Sequence, residues 1–551
     1  MENALKLLPI GGIGGVTKNM YLYEYNNQIL IVDCGVGFPT TGMLGVDVLI
    51  PDISYLKGKE NQIVGMLLTH AHDDHIAALP YIMPQLPDIP VYASSLTAGF
   101  AADRLKDFNV RVNFQTFPDD TNLKLGPFTI ESVKVTHSVP DTRHYLIQTP
   151  MGNIYHGSDF KFDLTPVDGV ISDYNKIARF GDRGVLCLLS DCLRSEKTGH
   201  SLSESILTES FQREFRGIKG KLLVTAMSSS IHRIQQVVDV ATSYGRQVAF
   251  IGRSVEQNIK TATRLGFFKI SQKAIVNKRR INKLPPNKIC VIIAGSQGQP
   301  ESSLTRAALG QHKLVSINSD DKVVFSSEPI PGNEDNVYNA IDNISKLGAE
   351  VSYSDVDDNL HVSGHASALE QKLLMELTKP KFLVPIGGTY RHMVQYRILA
   401  RSMGHNDKQV FLLQDGQTLL IDHTGIKLGE KIKLTHVMVD GTGVGDVGQV
   451  VLSDRQTMSK SGIVVIVLPI DQNSGQLKGR PEIISRGFVF MKQSSELITQ
   501  LETATMETID KHHDKLGDWK SLRKFIASDL EDLIYHHTQR SPLVLPVIMH
   551  V

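Results

Sequence analysis

Cysteine is scarce: the 551 residues hold four, Cys34, Cys187, Cys192 and Cys290. Spaced singly, they fit neither a disulfide framework nor a CxxC zinc site, and buried thiols are the expectation. Net charge is absent, with 58 Lys+Arg against 58 Asp+Glu, which excludes a globally basic nucleic-acid binder. The one basic run, Lys278-Arg279-Arg280-Ile281-Asn282-Lys283, reads by itself as a solvated loop. No apolar run approaches the roughly 18 residues a bilayer span needs. The opening Met1-Glu2-Asn3-Ala4-Leu5-Lys6 lacks a basic region followed by an apolar one. No membrane association and a cytoplasmic location are therefore expected. Biased tracts and fixed-period repeats are missing too, which excludes wholesale disorder, collagen-like chains, solenoids and propellers.

What is present is a globular composition, 41% hydrophobic and 21% charged, in a chain long enough for two or three packed units. Up to about residue 190 it reads as short β-branched runs between Gly, Pro, Asn and Asp, such as Gln28 to Asp33 and Ile63 to Thr69. From about Ser201, helical stretches such as Ile231 to Ser243 alternate with apolar strands such as Gln247 to Ile251 and Ile289 to Ile293, the pattern of βαβ units. The first pattern returns with a strand at Phe382 to Ile386 and a helix at Arg391 to Met403. The last hundred residues predict strands at Gly462 to Pro469 and Gly487 to Met491, then helices at Ser495 to Lys515 and Leu522 to Thr538. The apolar Leu497, Ile498, Leu501 and Ile509 lie near a 3.6 period, which means packing onto their own domain or a sister subunit.

The chemistry concentrates in Thr69-His70-Ala71-His72-Asp73-Asp74-His75, where an apolar strand ends in three imidazoles and two carboxylates. A loop leading into a helix aims His70 and His72 at one point while Asp74 and His75 face another, a spacing that suits two metal ions. Imidazole and carboxylate are ligands for zinc, and manganese also accepts them. Further donors follow apolar runs at His137 and Asp159. Asp159 is the natural bridge, because a carboxylate has two oxygens to share; His156 reads as an outer or structural residue. Such a cation pair generates hydroxide near neutral pH and holds a phosphoryl or carbonyl oxygen against it.

His70-x-His72-x-Asp74-His75, then His137, then Asp159, resembles the signature of the metallo-β-lactamase superfamily, whose fold is an αβ/βα sandwich. The long α/β segment before the last ligand is similar to the β-CASP domain of nucleic-acid-processing members. Leu189-Ser190-Asp191 resembles its acidic motif, and His361-Val362-Ser363-Gly364-His365-Ala366-Ser367 resembles the histidine motif of the ribonuclease J family. Gly157 to Asp163, Ser229 to Arg233, Gly252-Arg253-Ser254, Gly295 to Gly298, Val439 to Asp446 and Arg540 to Val547 agree with it, so the likeness spans the whole chain.

The resemblance implies an α/β protein: a metallo-β-lactamase sandwich in two parts (1–196 and 367–448), an inserted β-CASP α/β domain (197–366) and a small C-terminal α/β oligomerisation domain (449–551). It implies a first ion on His70, His72, His137 and Asp159, and a second on Asp74, His75 and Asp159, both most simply zinc with manganese as the other choice. It makes His365 the proton donor to the leaving oxygen, oriented through Asp191, and His361, Ser363 and Gly364 a pocket for phosphate. Ser229, His232, Arg233, Arg253 and Ser254 extend the RNA path. The implied activity is hydrolysis of single-stranded RNA from a 5′-monophosphate end, with internal cutting as a second mode, by a homodimer or homotetramer.

One departure stands out. The family ends the strand after the insertion in Pro-x-His-Gly-x-Tyr-Arg, and that histidine completes the second metal. This chain has Pro385-Ile386-Gly387-Gly388-Thr389-Tyr390-Arg391-His392, with glycine at the ligand position. A weaker second site is expected, with His392 the nearest replacement. The competing expectation is a weakened, RNA-binding paralogue subunit of a ribonuclease J complex. Other motifs fail on context. Gly11-Gly12-Ile13-Gly14-Gly15 is followed by a strand where a dinucleotide loop needs a helix, so no nucleotide cofactor is expected. Asp440 to Gly445 lacks the Gly-Lys-Ser/Thr ending of a P-loop. Met227 to Ser230 has no GxSxG frame for serine hydrolysis.

Overall fold

The computed structural model describes residues 4–40, 42–117, 121–471, 476–488, 495–512 and 519–551. They form two compact units, one of residues 1–38 and 48–437, the other of 39–47 and 438–551.

In the first unit, strands end where apolar runs meet Asp, Gly or Thr. An eight-stranded sheet runs in the order Gly425–Lys431, Gln417–Asp422, Leu5–Gly11, Met20–Tyr25, Gln28–Val32, Ile63–Leu67, Pro90–Ala93 and Asn113–Thr116. A six-stranded sheet runs Phe382–Ile386, Cys187–Asp191, Gly152–His156, Arg143–Thr149, Phe128–Lys134 and Asn122–Leu125. Leu7, Tyr23, Leu30 and Leu67 from one and Ile130, Leu146, Tyr155 and Leu188 from the other share a single core, so the sheets lie face to face. Ile177, Phe180, Leu374, Met375, Met393 and Tyr396, from helices Tyr174–Asp182, Ala368–Thr378 and Tyr390–Ser402, join that core. This is the expected αβ/βα sandwich.

Two sets of parallel strands position the chemistry. Gln28–Val32 and Ile63–Leu67 run parallel and end at Asp33 and at Thr69-His70. Gly152–His156, Cys187–Asp191 and Phe382–Ile386 are also parallel, and their carboxyl ends lead to Asp159, Asp191 and Gly387. Loops at the carboxyl ends of parallel strands are where α/β sheets gather ligands. Between the last two strands the chain builds a five-stranded parallel sheet, Gln247–Ile251, Ile289–Ile293, Leu222–Thr225, Lys322–Phe325 and Glu350–Ser352. Its inner strands Ile289–Ile293 and Leu222–Thr225 are buried along their whole length, and the sheet packs with Leu304, Val337, Ile341 and Ile344 of the flanking helices, as parallel sheets require. The inserted and sandwich parts cluster as one compact unit.

In the second unit, Ile463–Ile470 lies between antiparallel Glu482–Arg486 and parallel Leu543–His550. Its residues alternate between buried and half-buried. The buried set packs with Leu501, Ile509, Leu522, Ile526, Leu530 and Ile534 of helices Ser495–Lys511 and Trp519–Thr538. Leu501 and Ile509 therefore face their own domain, with Leu497 and Ile498 beside them. A strand is found at Glu482–Arg486, and Gly487 after it adopts φ +68°; of the strand expected at Gly487 to Met491, 489–491 lie outside the described residues. By contacts the unit takes in 39–47 and 438–551: Asp47 N–H donates to Val439 O at 2.8 Å and Arg455 donates to Leu44 O at 2.9 Å. No local pattern announces a pairing so distant in sequence. The four cysteines are buried and unpaired, and burial pushes the Cys187 and Cys290 thiols up to about 12. Among the described residues, no helix is long and apolar enough to cross a membrane.

Candidate metal centre

Beyond Leu67 the chain turns through His70-Ala71-His72 into the short helix Asp73–Ile76. Thr69 anchors the turn, its backbone N–H donating to Asp33 Oδ1 and its hydroxyl to Asp33 Oδ2, both at 2.8 Å. His72 caps the helix with extended backbone, and Asp73 and Asp74 occupy the first turn, where the helix's partial positive end favours carboxylates. The geometry sorts the ligand atoms into overlapping groups: His70, His72, His137 and Asp159; Asp74, His75 and Asp159; and Asp159, Asp191 and His365. Within each, the atoms lie within 4.8 Å of one another.

Asp159 is common to all three. Its Oδ2 stands 3.6 Å from His70 Nε2, 3.6 Å from His75 Nε2, 3.8 Å from His137 Nε2 and 4.0 Å from His365 Nε2. His72 Nδ1 is 3.1 Å from both His70 Nε2 and His137 Nε2. Burial, with the neighbouring imidazoles, holds His70 and His137 well below the ordinary histidine range and His72 at about 3. The three rings are thus neutral near pH 7, with lone pairs converging on one point, an arrangement a divalent cation fits and relieves.

The outer ring nitrogens are held as metal-binding histidines need. His75 Nδ1 lies 2.8 Å from Asp33 Oδ2, His137 Nδ1 2.7 Å from Gly364 O and His70 Nδ1 3.0 Å from Thr69 Oγ1. The His137 contact brings the inserted domain's last loop onto the cluster. A side chain on Gly364 would meet Ser138 Oγ at 2.6 Å and His137 Cε1 at 2.9 Å, so that approach requires glycine. His156 lies apart, buried, with Nδ1 2.8 Å from the Tyr23 hydroxyl.

His365 Nδ1 lies 2.7 Å from Asp191 Oδ2. Burial opposes its protonation, but Asp191 and Asp159 outweigh burial and raise the imidazole to about 9. Ser363 Oγ accepts from His365 N–H at 3.1 Å. His361 is depressed well below its usual value by burial and by Arg233; its Nδ1 accepts from Arg233 Nη1 at 2.9 Å.

Two expected roles change. Arg233 is 1% exposed and donates to Glu204 Oε1 at 2.7 Å, Ser326 O at 2.8 Å and Val362 O at 2.9 Å. It is a buried clamp behind His361, with no free face for RNA. His392 sits in the first turn of the helix Tyr390–Ser402, where Nδ1 accepts from Thr389 N–H at 3.2 Å and Nε2 lies 3.6 Å from Glu196 Oε1. It is a helix cap and joins none of the ligand groups, because helical geometry three residues past the cap turns it back onto Thr389. Gly387 does face the site: a Cβ there would lie 3.6 Å from Asp159 Oδ1 and 3.7 Å from Asp191 Oδ1.

His232 lies 3.5 Å from Asp168 Oδ2 and lines a cavity of about 330 Å³ with His137, Lys161 and Phe267. Arg253 and Ser254 are exposed at the start of the helix Arg253–Arg264, and Ser229 is half-buried before Ile231–Ser243. The sequence alone does not single out Asp33, Thr69 and Glu204 as partners of the site. For Asp33 a signal existed, since it ends an apolar strand as Asp191 does; Glu204 had none.

Comparison with known proteins agrees with this geometry. Residues 13–148 match the model of the metallo-beta-lactamase superfamily, 219–344 the Ribonuclease J beta-CASP domain, and 450–551 the Ribonuclease J C-terminal domain. Ribonuclease J2 of Bacillus subtilis is 34% identical over 553 residues, covering 99% of each chain. Ribonuclease J 1 of Streptococcus pyogenes is 33% identical over 99% of this chain and 98% of its own. Ribonuclease J of Synechocystis is 35% identical over 98% of this chain and 86% of its own. A crystal structure of a protein of unknown function from Enterococcus faecalis shares the fold, with TM-score 0.53 and 14% identity over 76% of this chain and all of that one. With full-length relatives at this identity, and imidazoles and carboxylates converging as a divalent cation requires, the chain belongs to the ribonuclease J family and is a metal-binding hydrolytic nuclease of the metallo-β-lactamase superfamily.

Proposed function

We propose that the protein is a cytoplasmic 5′-to-3′ exonuclease on single-stranded RNA, favouring 5′-monophosphate ends and also cutting internally. The observation that carries this reading is the meeting of both halves of the sandwich with the His361 to Ser367 loop at Asp159. His70, His72, His137 and Asp159 hold one divalent cation, and Asp74, His75 and Asp159 a second, zinc or manganese. Such a pair supplies Lewis-acid activation of water and charge neutralisation at the scissile phosphate.

The chain's own residues do the rest. His365 keeps a proton on Nε2, with Nδ1 held by Asp191, and passes it to the departing oxygen. His361, with Arg233 donating to Nδ1, presents its Nε2–H outward, and Ser363 and the Gly364 backbone join it in receiving phosphate oxygens. Ser229, His232, Arg253 and Ser254 carry RNA toward the site. This reading divides the chain into a sandwich of 1–196 and 367–448, an inserted domain of 197–366 and a C-terminal domain of 449–551. Exposed Leu545, Val547 and Met549 on one face of the strand Leu543–His550 support assembly as a homodimer or homotetramer.

A 5′-labelled, 5′-monophosphorylated RNA incubated with Mn²⁺ or Zn²⁺ tests the reading: labelled mononucleotide is the expected product, and a matched DNA should resist. Gly387 favours a second reading, a weakened RNA-binding subunit, because the position facing Asp159 offers no donor. A gel shift without cleavage at any metal concentration would establish it.

A further inference from the structure

The second ligand group, taken alone, is one donor short of a closed shell: Asp74, His75 and Asp159 are three, and Gly387 adds none. A fourth side chain nevertheless stands against it. Asn19, 1% exposed, follows the Gly-rich segment Gly11 to Gly15 and opens onto the strand Met20–Tyr25. Its amide Nδ2 lies 3.1 Å from His75 Nε2 and 3.4 Å from Asp74 Oδ2. His75 Nε2 is in turn 3.6 Å from Asp74 Oδ2 and 3.6 Å from Asp159 Oδ2. A tetrahedron of ligands around zinc at about 2.1 Å has edges of about 3.4 Å. All four separations fall close to that edge.

Building on the two-cation reading, we propose that Asn19 is the fourth ligand of the second cation, through its side-chain oxygen, and that it occupies the coordination position Gly387 leaves open. The end of an amide that faces a site follows the groups around it: facing Asp74 and Val16 oxygens alone it is the amine, and facing a bound cation it is the oxygen, reached by a half-turn. The outward end now receives the Tyr21 hydroxyl at 3.1 Å, while the same hydroxyl lies 3.1 Å from Gly12 O. After the half-turn the NH₂ donates to Tyr21 Oη and Tyr21 donates to Gly12 O, so both are satisfied. Inward, Nδ2 lies 3.1 Å from Asp74 O and 3.4 Å from Val16 O. Both carbonyls give up that donor in the half-turn, and Asp74 O keeps the backbone N–H of Asn19 at 3.0 Å. Gly12 O also receives the Gly387 N–H at 2.9 Å, so the loop that lacks the ligand is tied to the one that supplies it.

Two measurements decide the matter without relying on turnover. Zn²⁺ titrated into cation-free protein against a chromophoric chelator should give two ions per chain in the wild type. In Asn19→Ala the weaker ion should lose at least tenfold in affinity while the tighter one is unchanged. Crystals loaded with Zn²⁺ should show, by anomalous scattering, a cation about 2.1 Å from the Asn19 side-chain oxygen. Equal second-ion affinity in Asn19→Ala, or a second cation more than about 3 Å from Asn19, overturns the assignment and leaves the two-cation reading standing. A wild type that takes up a single ion overturns both. Should Asn19→Ala fail to fold, the anomalous map alone decides.

Discussion

Asp191 holds His365 through a 2.7 Å contact between Oδ2 and Nδ1, and the pair spans the inserted domain, with one partner before it in sequence and the other at its end. Burial works against a charged imidazole there, but Asp191 and Asp159 prevail and lift His365 to about 9. The folded value thus exceeds the unfolded one, roughly 6.5. Stability from this group is full below about pH 6.5 and is lost as pH rises through about 9. Histidine NMR of the cation-free protein should find His365 protonated at pH 7.5, and Asp191→Asn should move its titration to lower pH. An unchanged midpoint in Asp191→Asn would refute the pairing.

Arg233 and Glu204 form a buried ion pair, 2.7 Å from Nε to Oε1. Burial pushes Glu204 up, yet Arg233 and Lys161 hold its carboxyl below the usual range. Arg233→Met leaves that buried carboxylate only the more distant Lys161, 3.8 Å away, and a loss of about 3 kcal/mol is expected. Denaturant unfolding of Arg233→Met, Glu204→Gln and the double variant measures the coupling. Losses that simply add would show the pair to be uncoupled.

Gly387 has φ +65°, and a Cβ there would make only ordinary contacts with Asp159 and Asp191, at 3.6 and 3.7 Å. Gly387→Ala should therefore lose about 1 kcal/mol to backbone strain without touching the cations. Gly387→His should carry the same strain but tighten the second ion and raise the cleavage rate. Thermal melting and metal titration on the two variants separate strain from coordination, and a histidine variant no tighter than the alanine one would dismiss position 387 as a ligand position.

His392, bound to Thr389, predicts the opposite pattern. His392→Ala should cost about 1 kcal/mol as a lost helix cap, while metal stoichiometry stays at the wild-type value. Loss of an ion in His392→Ala would restore it as a ligand.

Addition of a chelator should abolish RNA cleavage, and Mn²⁺ or Zn²⁺ should restore it. Cleavage that persists after the ions have been removed, verified by elemental analysis, would exclude the cation-based chemistry.

Local chemistry determined a good deal. The run His70 to His75 carried its metal character in composition alone, because so dense a set of imidazoles and carboxylates needs a cation to be held together. Ligands at strand ends, the parallel inserted sheet and the two C-terminal helices were also legible, since hydrophobic period and punctuation are local properties. Tertiary structure alone decided which polar residues answer one another across the chain. His392 lies near Gly387 in sequence yet turns to Thr389, Arg233 resembles an RNA contact yet is held by Glu204, and Asn19, just past the Gly11 to Gly15 loop, carries no local mark of its place beside His75. A side chain's partners depend on which strand ends converge, and that convergence is set by the packing of two sheets whose strands come from both ends of the chain.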